Sequence, residues 1–126
     1  MRNKAQIIKW ILAVIVVTVI LYITVFCRSI GTEHIFRLLF WELKNGYWKD
    51  IGLNILLFVP FGVVIGGRKG ILAGFILSFI IEVIQYVFCL GYCEMDDVLN
   101  NTIGVLIGAL INKIATRNVE KLRKKL

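Results

Sequence analysis

The residues best suited to chemistry crowd into one stretch of the chain, "EVIQYVFCLGYCEMDDVLNN", Glu82 to Asn101. A glutamate stands inside an apolar run, and Glu94, Asp96, Asp97, Asn100 and Asn101 follow just beyond it. Paired carboxylates can act as general acid and base, and with amides they make directional hydrogen-bonding sites. Ser78, Glu82, Gln85 and Cys89 recur at i, i+4, i+7 and i+11, which is one face of one helix. Asp97, Asn101, Gly104 and Gly108 repeat the same spacing further on. Arg28 stands just past the first apolar run, and Asn54 lies in the first turn of the second. The candidate ligand-binding set is therefore Arg28, Asn54, Glu82, Gln85, Asp96, Asp97 and Asn101. Were the chain catalytic, Glu82 would be the acid or base, Asp97 would orient a group or hold a divalent cation, and Arg28 would bind phosphate. No convincing nucleophile accompanies them, because Ser78 has no histidine partner. His34 reads as a lone exposed histidine, and Cys27, Cys89 and Cys93 form no C-x-x-C pair. Neither a resident metal nor a cofactor is expected.

The elements that must position these groups follow from composition. The chain has 126 residues, 59% of them hydrophobic and 18% charged, with a mean hydropathy of +0.83. Soluble domains average roughly 45–50% apolar and about 25% charged, so this chain carries more apolar surface than a soluble core of its size can hide. The expectation is an all-α integral membrane protein, a single domain over residues 1–126. Spanning the hydrocarbon core takes about 20 mainly apolar residues. Residues 10–27, 51–67, 71–90 and 98–114 supply four such runs, the last weakened by Asn100, Asn101 and Thr102. The first is too long for a signal-peptide core and contains no A-x-A, so it reads as an uncleaved anchor.

Lysine and arginine favour the cytoplasmic side. Arg2, Lys4 and Lys9, then Arg68 and Lys69, then Lys113, Arg117, Lys121, Arg123, Lys124 and Lys125 fall together if four spans cross and both termini are cytoplasmic. Only Arg28, Arg37, Lys44 and Lys49 then lie outside, in the cell membrane's outer connection. The net charge of +7 is thus placed for anionic headgroups, and no nucleic-acid partner is expected.

"GVVIG", "GILAG" and "GVLIG" each carry two glycines one turn apart, which permits close helix approach. Packing within the chain is the leading reading, with an oligomer left open. Pro60 should bend the second span, either as a packing kink or to open a cavity. In "TEHIFRLLFWELKNGYW", Thr32 can cap and Gly46 can end a short helix at the outer interface, with Phe36, Phe40, Leu43 and Tyr47 at helical spacing. In the tail, Ala115, Val119, Leu122 and Leu126 oppose Lys113, Arg117, Lys121 and Lys124, which predicts an amphipathic helix on the cytoplasmic leaflet.

In this topology the third span runs outward and Glu82 lies about 12 Å below its outer end, at 1.5 Å per residue. Polar groups from all four spans then gather in the outer half. A charge at mid-helix costs roughly 2.5–3.5 kcal/mol on insertion scales, so such residues face an interior and find partners. The sequence leaves open whether Glu82 is protonated or ionised against Arg28. It also leaves open whether the cluster locks the helices together or forms an outward pocket. At least one of Asn100 and Asn101 should pair with Glu82, Gln85 or Asn54.

"NILLFVPFG", "SFIIEVIQ" and "CEMDDVLNNTIGVLIG", together with Arg28 and "LLFWEL", resemble the VanZ-like family of small bacterial membrane proteins. Family members often carry an arginine at the position of Tyr92, whose replacement leaves Arg28 as the principal cation expected at the pocket. The family's usual proline in the first connection is replaced by Leu39. The resemblance implies an envelope-associated protein contributing to resistance to glycopeptides of the teicoplanin type. The leading expectation is a non-enzymatic protein that binds a membrane lipid, a lipid-linked cell-wall intermediate or the glycopeptide itself. The alternative is a membrane enzyme acting on an outer-leaflet, lipid-linked substrate through Glu82 and Asp97. A transporter is disfavoured because the polar groups do not continue to the cytoplasmic side.

Overall fold

The computed structural model describes residues 2–126. Four helices in it are long and apolar enough to cross a membrane. Helix α1 (Arg2–Leu21) runs into a π-helical turn, Tyr22–Phe26, closed by Cys27 N–H donating to the Tyr22 carbonyl at 2.9 Å. Helices α3 (Trp48–Ile65), α4 (Gly67–Val87) and α5 (Met95–Lys125) follow the connection described below. The four long helices overlap the apolar runs at 10–27, 51–67, 71–90 and 98–114, with two differences of detail. "GGRKG" is not a loop: Gly66 alone joins α3 to α4, at φ 66°, and Arg68 and Lys69 already lie in the first turn of α4. The tail is not a separate helix either, because α5 continues unbroken through the basic residues to Lys125.

Side chains at the centre come from all four long helices: Ile20, Phe58, Phe61, Ile81 and Val105 are buried against one another. Much of the remaining apolar surface faces outward, as with Ile11, Ile15, Leu72, Ile76, Phe79 and Leu110. Exposed apolar area on this scale is what a lipid-facing surface requires. The α3–α5 pair is the most extensive helix contact, and its glycines explain why. A Cβ on Gly104 would collide with the Ile55 carbonyl, one on Gly108 with the Val59 carbonyl, and one on Gly62 with the Val105 carbonyl. The "GVVIG" and "GVLIG" stripes thus pack on each other within one chain, in the small-residue manner of helices in lipid. Helix α3 runs on through Pro60.

The connection between α1 and α3 departs from expectation. Ile35–Arg37 (β1) is extended and pairs in parallel with Tyr92–Glu94 (β2), in the register Ile35↔Tyr92, Phe36↔Cys93, Arg37↔Glu94. The helix here, α2, is only Trp41–Asn45. Thr32 therefore caps nothing, and the apparent helical spacing of Phe36 with Phe40 spans a strand and a left-handed residue, since Phe40 has φ 65°. Gly46 does end α2, at φ 75°, where a glycine is favoured. The molecule is all-α apart from this two-stranded pairing, which ties the α1–α3 connection to the α4–α5 connection at one end of the bundle.

Candidate polar cavity

A cavity of about 380 Å³ opens at the end of the bundle that carries the β1–β2 pairing. Its positions follow from helical spacing and strand register. On α3, Asp50, Leu53, Asn54 and Leu57 recur at i, i+3, i+4 and i+7 and face it together. Asp97, in the first turn of α5, and Ile23 and Thr24, in the π-helical turn of the first helix, complete the helical walls. Such single π turns are frequent at functional sites. The connections add Arg28, Arg37, Trp41, Glu42, Tyr47, Tyr92 and Glu94.

Three carboxylates meet in it. Single oxygens of Glu42, Glu94 and Asp97 lie within 4.8 Å of one another, and all three residues are buried. Asn54 Nδ2 donates to Asp97 Oδ1 at 2.5 Å, and Asn100 Nδ2 donates to Glu42 Oε2 at 2.9 Å. Burial, then the nearby charges of Asp97, Glu94, Asp96 and Asp50, pushes the Glu42 carboxyl up to about 8. Two arginines oppose the acids. Arg37 Nη1 donates to Glu94 Oε1 at 2.6 Å, the contact that the Arg37↔Glu94 register dictates. Its guanidinium is held between two rings, 3.6 Å from the centroid of Trp41 and 3.4 Å from that of Tyr92. Arg28 lines the cavity with no carboxylate within 4.0 Å among the described residues. The cavity therefore joins free and paired cations, a carboxylate cluster, aromatic faces and an apolar strip from Ile23, Leu53 and Leu57. The three carboxylate oxygens are the hard donors a divalent cation takes, a grouping not expected from the sequence.

The seven residues singled out from the sequence divide. Arg28, Asn54 and Asp97 line the cavity. Glu82 is buried behind it, with Oε2 accepting the backbone N–H of Glu94 at 2.8 Å, so it fixes strand β2 from the side of α4. Gln85, Asp96 and Asn101 do not line the cavity. Gln85 Nε2 donates to the Thr24 carbonyl at 2.9 Å, pairing an acceptor at the end of the first helix. Asp96 accepts from the backbone N–H groups of Phe40 and Glu42 at 2.5 and 2.8 Å and so anchors the start of α2. Asn101 Nδ2 donates to Ser78 Oγ at 2.8 Å, joining α5 to α4. These three side chains hydrogen-bond within the fold, and the cavity receives other groups. Asn100 and Asn101 both point inward, but to Glu42 and Ser78 rather than to Glu82, Gln85 or Asn54.

Sequence reasoning named Glu94 in the acidic stretch but left it, with Glu42 and Arg37, out of the candidate set. One signal was present: Glu42 stands in "LLFWEL" as Glu82 stands in "SFIIEVIQ", an acid within an apolar run. Arg28 is joined at the cavity by a second cation, Arg37, for which Tyr92 supplies a ring to lie on. His34, expected to be bland, has Nδ1 2.6 Å from the Tyr86 carbonyl and 3.4 Å from Cys89 Sγ. All three cysteines are free thiols.

Long apolar helices, locked by buried amides and acids and closed at one end over a polar cavity, define a small all-α membrane protein. Its sequence matches a known family over most of its length, and the chain belongs to it: the VanZ/LLP1 family, whose model matches residues 9–116. Protein VanZ from Enterococcus faecium is 28% identical over 84 residues, covering 61% of this chain and 52% of the relative. The chain thus spans about half the length of that relative. No solved structure matches.

Proposed function

We propose that this VanZ-like protein works in the bacterial cell membrane by holding the polar head of a lipid or lipid-linked cell-wall component in the cavity, and thereby contributes to resistance to teicoplanin-type glycopeptides. Both termini would be cytoplasmic, as the positive-inside distribution favours, which turns the cavity to the outer face. The observation that carries the reading is the composition of the cavity wall. Arg28, with no carboxylate within 4.0 Å among the described residues, shares the wall with Glu42, Glu94 and Asp97, while Ile23, Leu53 and Leu57 continue the same surface as apolar. That pattern suits an amphiphile whose charged head meets the arginines and acids and whose chain lies along apolar side chains. Membership of the family and similarity to Protein VanZ support the link to glycopeptides.

Native mass spectrometry of the protein released from nanodiscs tests this. A co-purifying amphiphile is expected, and Asp97→Asn or Asn54→Ala should lose it while remaining folded. Full retention by both variants would end the proposal.

The carboxylate cluster favours one second reading, an enzyme acting on an outer-leaflet lipid-linked substrate. Asp97 would serve there as acid, base or cation ligand. Glu82, outside the cavity lining and engaged with the Glu94 backbone, would position rather than react. Glu42 and Glu94 would share the chemistry. Turnover of undecaprenyl-type lipids by purified protein, abolished in Asp97→Asn, would establish it; no turnover across a broad lipid panel would count against it.

A further inference from the structure

At the opposite end of the bundle, a second cavity of about 650 Å³ runs between the start of α4 and the lower half of α5. Its position is about 20 Å from Glu82 along α4, at 1.5 Å per residue between Gly67 or Ile71 and Glu82. Ile71, Leu106 and Leu110 form its apolar side. Arg68, Lys113 and Arg117 stand at its polar end, opposed only by Glu120 among the lining residues. None of these three cations has a carboxylate within 4.0 Å among the described residues.

The one-residue joint at Gly66 places these groups together. It brings Arg68, in the first turn of α4, back beside Asn112 of α5, whose side chain packs on Gly66 and donates to the Val63 carbonyl at 2.7 Å. Lys113 and Arg117 follow one turn apart on α5. Two helices thus present converging cations at the head of an apolar groove that points into the span.

We infer that this groove is a binding site for one anionic phospholipid, its phosphate among Arg68, Lys113 and Arg117 and an acyl chain along Ile71, Leu106 and Leu110. Charge complementarity selects the occupant. A zwitterionic lipid would fill the apolar part equally well but would bring a cationic group beside Arg68, Lys113 and Arg117, and an apolar peptide would leave them unopposed. The site is distinct from the polar cavity and does not depend on the function proposed for it.

The test uses protein reconstituted with equal amounts of phosphatidylglycerol and phosphatidylcholine, with retained lipid read by native mass spectrometry. One phosphatidylglycerol per chain is expected to stay bound. A basic residue near an anionic headgroup contributes roughly fivefold, so Arg68→Gln/Lys113→Gln/Arg117→Gln should lose the preference on the order of a hundredfold. Lys121→Gln/Lys124→Gln/Lys125→Gln removes equal charge further along the tail and should retain the lipid. Leu110→Trp fills the groove without touching its charge and should also lose the lipid. Retention by the groove variants, or an equal loss in the tail variant, would overturn the inference. So would displacement of the lipid by soluble glycerophosphoglycerol, which has a headgroup and no chains.

Discussion

Glu42 shows how a single buried residue sets a measurable property of the whole chain. Its carboxyl rises from 4.5 to about 8 because burial and four neighbouring acids disfavour its charge. The unfolded chain therefore gives up this proton at lower pH than the folded one. The folded state binds the extra proton between about 4.5 and 8, so stability from this group is full below that window and is lost as pH rises through it. The melting temperature in detergent should fall between pH 5 and pH 8, and Glu42→Gln should flatten that fall. An unchanged slope in the variant would show that Glu42 is not the group responsible. The thiols give a second residue-scale prediction. Burial, then Glu82, Asp97 and Glu94, pushes Cys93 up to about 11, whereas Cys27 is exposed. Maleimide at pH 7.5 should label Cys27 many times faster than Cys93 in the folded protein, and at similar rates once it is unfolded.

Among the elements, the α3–α5 pair and the β1–β2 pairing hold the cavity in shape. Gly104→Val or Gly108→Val would drive a side chain into a backbone carbonyl of α3, at a cost of about 1–3 kcal/mol or more. Gly52→Ala, which would meet nothing within 4 Å, should be harmless by the same denaturation assay. Asp96→Ala would leave the N–H groups of Phe40 and Glu42 without their acceptor. At roughly 1–3 kcal/mol for each unsatisfied donor, it should destabilise the α1–α3 connection and speed proteolysis there ahead of the helices. The long helices were legible because each is a continuous apolar run, and the glycine stripes because their spacing is local. The connection was not, because Phe36 and Arg37 take their conformation from strand partners 57 residues further along the chain. Local spacing therefore suggested a helix where pairing makes a strand. The same non-local register delivers Arg37 to Glu94, so the half of the cavity built from connections could not be read from the sequence. The half built from Arg28, Asn54 and Asp97 could, since an unusual polar residue at the mouth of an apolar span is visible without its partners.

For the molecule as a whole, the division of labour runs along the bundle axis. Buried pairs such as Asn101 with Ser78 and Gln85 with the Thr24 carbonyl fasten the helices. Glu42, Glu94 and Asp97 are held with Arg28 and Arg37 at one end, and Arg68, Lys113 and Arg117 stand at the other. The proposed orientation puts the acidic end outside. The most direct test is glycopeptide susceptibility of cells carrying the wild type, Asp97→Asn or Asn54→Ala at matched membrane abundance, in a host the wild type protects from teicoplanin. Both variants are predicted to return the cells to the susceptibility of the unprotected host. Full protection by variants that fold and reach the membrane normally would contradict a role for the cavity.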